Sequence, residues 1–298
     1  MKKDRCPGRG KYIFLYYARA CIQRYFAQDV GRESAALAYY LLFSLFPVLI
    51  ILSTFLSYSQ LNEAPVIEWI CNILPPEVAV LIGDYLQNLS QMQTAPLSLA
   101  AIFLCFWFPM RASNSLITSI RKGLASHPAQ GFLRLQLSLF FYAIFLMVTI
   151  WFAVMFMVLS NNMLDFLTEI LPLPLPIEFV RVWRRFRVII LAILFFLVLY
   201  VFYRNGCEKR HPKFSEVCPG IFGAFSAWML LSHFFSYFVG NITAYSMIYG
   251  SIRTIIVLML WFYLTSTVFI MGAVFNQIMN DTRAKYGSWK PPFPPTEQ

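Results

Sequence analysis

Six long apolar stretches, separated by polar segments, constrain the fold of this chain more than any other feature of its sequence. A helix needs about 20 mostly apolar residues to cross the ~30 Å hydrocarbon core of a bilayer. Because no strand-like alternation is visible, helices rather than a barrel satisfy the backbone in lipid. The sequence therefore predicts an all-α, polytopic membrane protein with six transmembrane helices, at about residues 35–57, 95–115, 135–160, 184–203, 217–239 and 253–279.

The composition agrees with a chain that lies mostly in lipid. Of its 298 residues, 59% are hydrophobic and 13% are charged. Soluble domains average about 45–50% apolar and about 25% charged residues. The chain has too little polar surface to cover a soluble globule, and this excludes the soluble classes of protein.

The distribution of lysine and arginine predicts the orientation. Eight of the 24 basic residues precede residue 35, four lie in each of the connections 111–134 and 204–216, and three follow residue 280. The connection 58–94 has none. Since basic loops stay on the cytoplasmic side, both termini are predicted to be cytoplasmic. The net charge of +10 is a topology signal, and with no reader module in the sequence no nucleic-acid partner is expected.

Three segments follow from this orientation. Residues 1–34 form a basic cytoplasmic segment, 35–279 a single transmembrane domain, and 280–298 a disordered cytoplasmic tail. Within the first segment, residues 11–30 predict an amphipathic helix that lies on the cytoplasmic surface. In this helix apolar and basic side chains alternate, namely Phe14, Tyr17, Cys21 and Tyr25 with Lys11, Arg19 and Arg24.

Two connections on the outer side have recognisable patterns. The stretch "PPEVAVLIGDYLQNL" has proline at a helix start and apolar residues at helical spacing, and predicts a short helix resting on the outer face. The stretch "LPLPLPIEF", residues 171–179, predicts an extended linker, because the residue before each proline is disfavoured in a helix.

The first apolar stretch, "AALAYYLLFSLFPVLIILSTFLS", contains a proline and a line of polar side chains. Pro47 cannot donate a hydrogen bond to the Phe43 carbonyl, so the helix is predicted to kink there, and Ser44 can help satisfy the freed carbonyls. Tyr40, Ser44 and Pro47 lie on one side of the helix. This stripe belongs against other helices or a cavity, and packing explains it as well as function does.

An arginine cluster at the outer end of the fourth stretch departs from the charge rule. The sequence "EFVRVWRRFRVII" carries Arg184 and Arg187 at i, i+3, and Arg181 and Arg185 at i, i+4. Only residues 188–203 after it are uncharged, about 24 Å of helix, so a crossing helix draws Arg187 to membrane depth. Either these side chains snorkel to outer headgroups, or they contact an anion or lipid phosphate facing a cavity.

The fifth and sixth stretches contain the remaining candidate residues. Small residues in "GIFGAFSA" indicate close helix packing. His233 is followed one turn later by Tyr237, and it has two interpretations: an interhelical hydrogen bond or a proton relay. Asn276 lies in the sixth stretch, as a further candidate on a substrate path. No Asp, Glu or Lys lies deep in any of the six stretches, which argues against ion-coupled transport.

The sequence offers no reactive cluster for an enzyme. The six cysteines are scattered without a CxxC pair, and the three histidines, His127, His211 and His233, are far apart. A metal nuclease needs clustered His, Asp or Glu ligands. There is no Walker loop, GxSxG elbow or HExxH motif. Neither an enzymatic activity nor a metal or other cofactor is expected.

Three stretches together resemble a known family. "AALAYYLLFSLFPVLI", "PGIFGAFSAW" and "YSMIYGSIRTIIVLMLWFYLTSTVFIMGAVFNQIM" are similar to signatures of the YihY/BrkB family of bacterial inner-membrane proteins, and the resemblance covers about residues 15–280. It implies six transmembrane helices and a place in the cytoplasmic membrane. Two departures are visible: Val274 stands where members often have an acidic residue, and "YRNGC" lacks the frequent proline after "YR". The older family label, ribonuclease BN, finds no support in these residues.

Three functions remain open from the sequence. Transport of an anionic or amphipathic, lipid-like substrate is favoured by the kinked first helix, the polar faces and the arginines at depth. A structural or assembly role in the cell envelope is the alternative, and a membrane-embedded ribonuclease is the weakest. The expected partners are the lipid bilayer and an anionic lipid or other anionic amphiphile, and the sequence leaves open a homo-oligomer.

Overall fold

The computed structural model describes residues 9–59, 99–122, 136–150, 152, 153, 156, 177–206, 212–241 and 252–289. In these residues every regular element is a helix and none is a strand, which confirms the predicted all-α class. The helices are α1 (Arg9–Ala27), α2 (Val30–Ser59), α3 (Leu99–Arg121), α4 (Gln136–Ile150), α5 (Ile177–Gly206), α6 (Phe214–Asn241) and α7 (Ile252–Tyr286).

Three of the described helices contain a stretch that is long and apolar enough to cross a bilayer. They are α5, α6 and α7, with the stretches Ile189–Gly206, Phe214–Phe238 and Ile255–Tyr286. Helix α4 is apolar but shorter. The membrane-helix character of the chain is therefore confirmed. The count of six crossings and the cytoplasmic placement of both termini stay predictions.

Several helix ends differ from the predicted bounds. Helix α5 begins at Ile177, inside the predicted linker 171–179, because a proline just before a first turn is compatible with the helix: the first amides have no helical partner anyway. Helix α7 runs past residue 279 to Tyr286, into the segment predicted to be a disordered tail. The predicted helix on the outer face lies outside the described residues.

Helices α1 and α2 are joined by a tight turn at Gln28 and Asp29. Asp29 adopts a left-handed backbone, with φ of 53°. Its carbonyl accepts the amide of Glu33 at 3.1 Å and so begins α2. The predicted interfacial helix therefore ends at Ala27 rather than at residue 30, because the left-handed backbone of Asp29 cannot continue a right-handed helix.

Helix α7 lies at the centre of the packing. It contacts α6 and α2 extensively and also touches α1 and α3, while α3 packs against α2 and α5. The core between these helices is formed by fully buried apolar side chains from five of them, including Leu37, Ile117, Phe202, Ile221 and Ile270.

Helices α6 and α7 approach closely at two glycines. A Cβ atom on Gly220 would collide with the carbonyl oxygen of Gly272, and one on Gly272 would lie 2.7 Å from the Cβ of Ala224. Gly223, in contrast, faces open space. Of the small residues singled out in the sequence, Gly220 and Ala224 therefore mediate the close approach, and Gly223 does not.

Polar contacts gather at one end of the bundle, where α1 lies; we call it the α1 end. Arg121 at the end of α3 donates to the carbonyl of Asn205 near the end of α5 at 3.0 Å. Besides this hydrogen bond, ion pairs at the α1 end join α1 to α7, the end of α3 to α2, and α7 to α6. They are Arg24–Asp281, Lys122–Glu33 and Arg283–Glu216.

Candidate functional site

Arg111 lies inside α3, as the predicted stretch 95–115 implies, although it is also counted among the basic residues of the connection 111–134. Helix α3 continues beyond that stretch without a break to Arg121. The continuation is held by Ala112, Leu116 and Ile120, which recur every four residues and are all buried. At about 1.5 Å per residue, Arg111 is about 15 Å from the α1 end.

Two aromatic rings flank the Arg111 guanidinium. Its central carbon lies 5.4 Å from the ring centroid of Trp107 and 5.8 Å from that of Tyr40 on α2. At these distances a guanidinium is attracted to the negative face of a ring. The rings of Phe43 and Phe108 stack beside this pair, with centroids 5.1 Å apart. The α2–α3 interface thus holds a cation in an aromatic setting.

Arg111 has no acidic counterpart in the part of the chain that the structure describes. No described Asp or Glu lies within 4 Å of it, whereas Arg24, Lys122 and Arg283 at the α1 end each pair with a carboxylate. Arg111 is only partly buried.

Two buried serines lie near in sequence to this pair of rings. Ser44 lies one turn after Tyr40, on the same side of α2, and donates to the carbonyl of Leu41 at 2.8 Å. Ser113 is 1% exposed, and its hydroxyl has no hydrogen-bond partner among the described residues. The buried Pro109 removes one backbone donor from α3 two residues before Arg111. The α2–α3 interface is consequently more polar than its apolar sequence suggests.

The structure brings only part of the predicted first-helix stripe to this site. Tyr40 contacts Arg111, and Ser44 is buried as the sequence predicted. Ser44 bonds to Leu41 rather than to the Phe43 carbonyl. Pro47 lies within the helical bounds of α2, but its side chain is outside the described residues.

The predicted arginine cluster is placed on α5 only at the level of the backbone. Arg184 and Arg187 fall within the helix Ile177–Gly206, and their side chains lie outside the described residues. Both interpretations of these arginines therefore stay predictions.

His233 and Tyr237 lie on the exposed side of α6. His233 Nδ1 is 2.8 Å from the carbonyl oxygen of Met229 on its own helix, so this contact does not join two helices. Tyr237 is 73% exposed. The role of each residue stays a prediction.

Asn276 binds the backbone of α6 around Pro219. Its side-chain oxygen accepts the amide of Gly220 at 2.6 Å, and its side-chain nitrogen donates to the carbonyl of Val217 at 2.7 Å. Pro219, between these two residues, has no amide hydrogen and removes one helical hydrogen bond from α6. Asn276 thus binds the backbone of α6 on both sides of Pro219, and its hydrogen-bonding groups are largely satisfied by this.

Gln277 joins three helices one residue further along. Its side-chain nitrogen donates to the carbonyl of Ile120 at 2.5 Å, and its oxygen lies 3.4 Å from donors on Arg24 and Gln28. Ile120 is in the last turn of α3, where carbonyls lack helical partners. The amide of Gln277 therefore completes a helix end.

A small cavity of about 20 Å³ lies beside these amides, with room for about one water molecule. It is lined in part by Glu216, Asn276, Gln277 and Asn280. The side-chain oxygen of Asn280 is buried and has no partner in the described structure. The size of the cavity fits a bound water and is far below that of a lipid or a metabolite.

The composition and the described helices define a helical membrane protein, and in its described part the Arg111 cation lies against two aromatic rings at the α2–α3 interface. The chain belongs to the BrkB family: the family model described as "Virulence factor BrkB" matches residues 21–294. This confirms the resemblance found in the sequence.

One curated relative is similar over most of both chains. It is YfkH of Bacillus subtilis (strain 168), whose name calls it ribonuclease-like. The two are 27% identical over 269 residues, which cover 89% of this chain and 96% of the relative. No solved structure matches the chain.

Proposed function

We propose that this chain is a six-helix protein of the bacterial cytoplasmic membrane that translocates an anionic amphiphile, and that Arg111 binds the anionic group. The observation that carries the proposal is an arginine about half-way along α3, between two aromatic rings and without a described carboxylate partner. Ionisable residues at membrane depth are costly and are usually found on substrate paths.

The charge of Arg111 favours an anion. An arginine at the centre of a membrane helix costs about 2.5–3.5 kcal/mol relative to water on insertion scales. A carboxylate or phosphate bound by the planar guanidinium offsets that cost through two parallel hydrogen bonds. Contacts with Tyr40 and Trp107 hold the side chain in place between such events.

The surroundings of Arg111 favour an amphiphile over a small inorganic ion. Around the one cation the α2–α3 interface presents rings and aliphatic groups, including Phe43, Trp107 and Phe108. A substrate with an acidic head and an apolar tail satisfies both parts of this surface. A small hydrated anion would lose its water without gaining polar partners in exchange.

A structural role in the cell envelope is the alternative, and one observation favours it. The side chains of Asn276 and Gln277 form hydrogen bonds with the backbone of α6 and α3, which uses groups that could otherwise line a substrate path.

The name of YfkH points to a third function, RNA cleavage. We do not extend it to this chain, because the similarity is distant and no three His, Cys, Asp or Glu side chains gather in the described residues.

The test is flux of labelled anionic phospholipid in proteoliposomes, with protein-free vesicles as the baseline. Arg111→Ala is expected to abolish protein-dependent movement, and Arg111→Lys to retain part of it. Arg204→Ala is the matched control, because Arg204 also lies near a ring, 5.9 Å from the centroid of Tyr200, but at the α1 end. Full flux in Arg111→Ala would contradict the proposal. No flux in folded, inserted wild-type protein would favour the structural role.

A further inference from the structure

Helix α1 has two apolar faces, of which only one is covered by the protein. The covered face carries Tyr17, Ala20, Cys21 and Tyr25, which pack against the core. The Tyr17 hydroxyl donates to the carbonyl of Trp289 at 2.5 Å, and its ring lies 5.7 Å from that of Phe275. Of the apolar residues that indicate an interfacial helix in the sequence, Tyr17, Cys21 and Tyr25 therefore face the protein.

The second face of α1 is apolar and uncovered. Leu15, Ile22 and Phe26 are spaced seven and four residues apart and therefore share one side of the helix. Together with Phe14 they are 59–75% exposed. A row of three large exposed apolar side chains on a surface helix, with the exposed Phe14 beside its first residue, marks an interaction site.

The charge of α1 indicates which surface covers this face. The helix contains Arg9, Lys11, Arg19 and Arg24 and no acidic residue. Arg24 is neutralised by Asp281, whereas Arg19 is exposed. A second copy of the same helix would bring like charges together, whereas an anionic membrane surface complements them.

The position of α1 agrees with a membrane surface. Helix α1 contacts Asp281 and Gln277 in the last part of α7, and Trp289 just after it. The last turn of α5 and the first turn of α6 lie at the same end of the bundle. A helix at this level meets the boundary between headgroups and acyl chains, where amphipathic helices insert their apolar face.

We propose that the exposed face of α1, formed by Phe14, Leu15, Ile22 and Phe26, binds the anionic phospholipid surface of the membrane leaflet at the α1 end. Arg19 then contacts phosphate groups while the four apolar side chains enter the acyl boundary. The bonds from Arg24 to Asp281 and Gln277 fix the bound helix to α7. This inference does not depend on transport, and its test does not measure flux.

The test uses the full chain with its native cysteines replaced by alanine and a single cysteine at position 22. A polarity-sensitive fluorophore on Ile22→Cys is read in vesicles of phosphatidylcholine alone, or with an equal part of phosphatidylglycerol, both containing a nitroxide-labelled lipid quencher. Gln23→Cys is the matched control, because Gln23 is the next residue and is exposed on the polar flank. Thermal unfolding and gel filtration of each labelled protein establish that it is folded.

We expect the probe at position 22 to be quenched several-fold more than the probe at position 23, and only when phosphatidylglycerol is present. High salt should reduce the difference, because it screens the attraction to the headgroups. Equal quenching at both positions would overturn the proposal. So would quenching at position 22 that ignores phosphatidylglycerol and salt, and so would a disulfide between two Ile22→Cys chains in place of lipid contact.

Discussion

The side-chain oxygen of Asn276 accepts a hydrogen bond from the backbone amide of Gly220 at 2.6 Å, directly after Pro219 in α6. The side-chain nitrogen of the same amide binds Val217. Asn276 of α7 therefore binds the backbone of α6 on both sides of Pro219. In a lipid environment no water is present to replace such bonds.

Replacing Asn276 with alanine should destabilise the protein by about 1–3 kcal/mol, because it leaves buried backbone groups without partners. The measurement is thermal unfolding in detergent. Asn114→Ala is the control, since Asn114 only accepts an exposed bond from Thr118 at 3.4 Å. Equal unfolding temperatures for the two variants would show that the Asn276 bonds contribute nothing.

Gly220→Ala should destabilise the α6–α7 pair strongly. Besides colliding with Gly272, the added methyl group would lie 2.5 Å from the Cγ atom of Asn276, and overpacking of this kind typically costs about 1–3 kcal/mol.

Gly223→Ala, one turn further along the same helix, is the matched comparison for Gly220→Ala. It should be neutral or stabilising, because its methyl group meets nothing within 4 Å and alanine favours helix by about 1 kcal/mol. Thermal unfolding of both variants checks the difference. A stable Gly220→Ala protein would mean that the two helices can separate without cost.

Tyr40→Ala should lower flux of an anionic amphiphile, because Arg111 loses one of its two flanking rings. Tyr40→Phe retains the ring and should retain most of the flux, since the cation is attracted to the aromatic face. Tyr39→Ala serves as the control: Tyr39 is the neighbouring residue, is exposed, and has no described contact with Arg111. A loss in Tyr39→Ala as large as in Tyr40→Ala would assign the effect to general packing.

The Cys21 thiol should react slowly with alkylating reagents at neutral pH. Burial raises its pKa, an effect that the nearby Arg24 only partly opposes. The thiolate is the reactive form, so the rate should rise at higher pH than for a cysteine introduced at the exposed position 23. Mass spectrometry of the labelled peptide gives both rates in one sample. Coincident pH profiles would contradict a raised pKa.

The raised pKa of the Cys21 thiol also makes the free energy of unfolding depend on pH. A thiol whose pKa is higher in the folded chain stays protonated there while the unfolded chain ionises. The contribution of this thiol to the stability of the folded chain is therefore fully present below its pKa in the unfolded chain. It is lost as the pH rises through its pKa in the folded chain. Cys21→Ala should make the unfolding temperature less dependent on alkaline pH, and an unchanged dependence would locate the titrating group elsewhere.

The long apolar stretches are sufficient to predict these helices but not which face of a helix meets the protein. Helices α5, α6 and α7 each contain a stretch that is long and apolar enough to cross a bilayer. Length and composition alone therefore predict these three helices. The alternation of apolar and basic residues in α1 predicts an amphipathic helix but does not distinguish Tyr17 and Cys21, which face the core, from Ile22 and Phe26, which are exposed. Which of two apolar faces meets the protein depends on α7, more than 200 residues away along the chain.

Arg111 shows why the candidate site was missed in the sequence. The apolar run ends at Met110, and although the predicted stretch 95–115 includes Arg111, the sequence treats this arginine only as a topology signal. The signal that α3 continues is the recurrence of Ala112, Leu116 and Ile120 every four residues, which a search for uninterrupted apolar runs does not register. Tyr40 was found because a polar ring in an apolar stretch is conspicuous by itself. Its cationic partner is visible only when α2 and α3 are packed together.

The long-range bonds of the α1 end set an order of assembly during synthesis. Tyr17 bonds a residue 272 positions later, and Ile120 bonds one 157 positions later. A ribosome delivers α1 and α3 to the membrane long before α7 exists, so their last contacts are made only when the final helix arrives. Chains that stop short of α7 should consequently be recognised as incomplete and degraded, whatever the state of the helices already inserted.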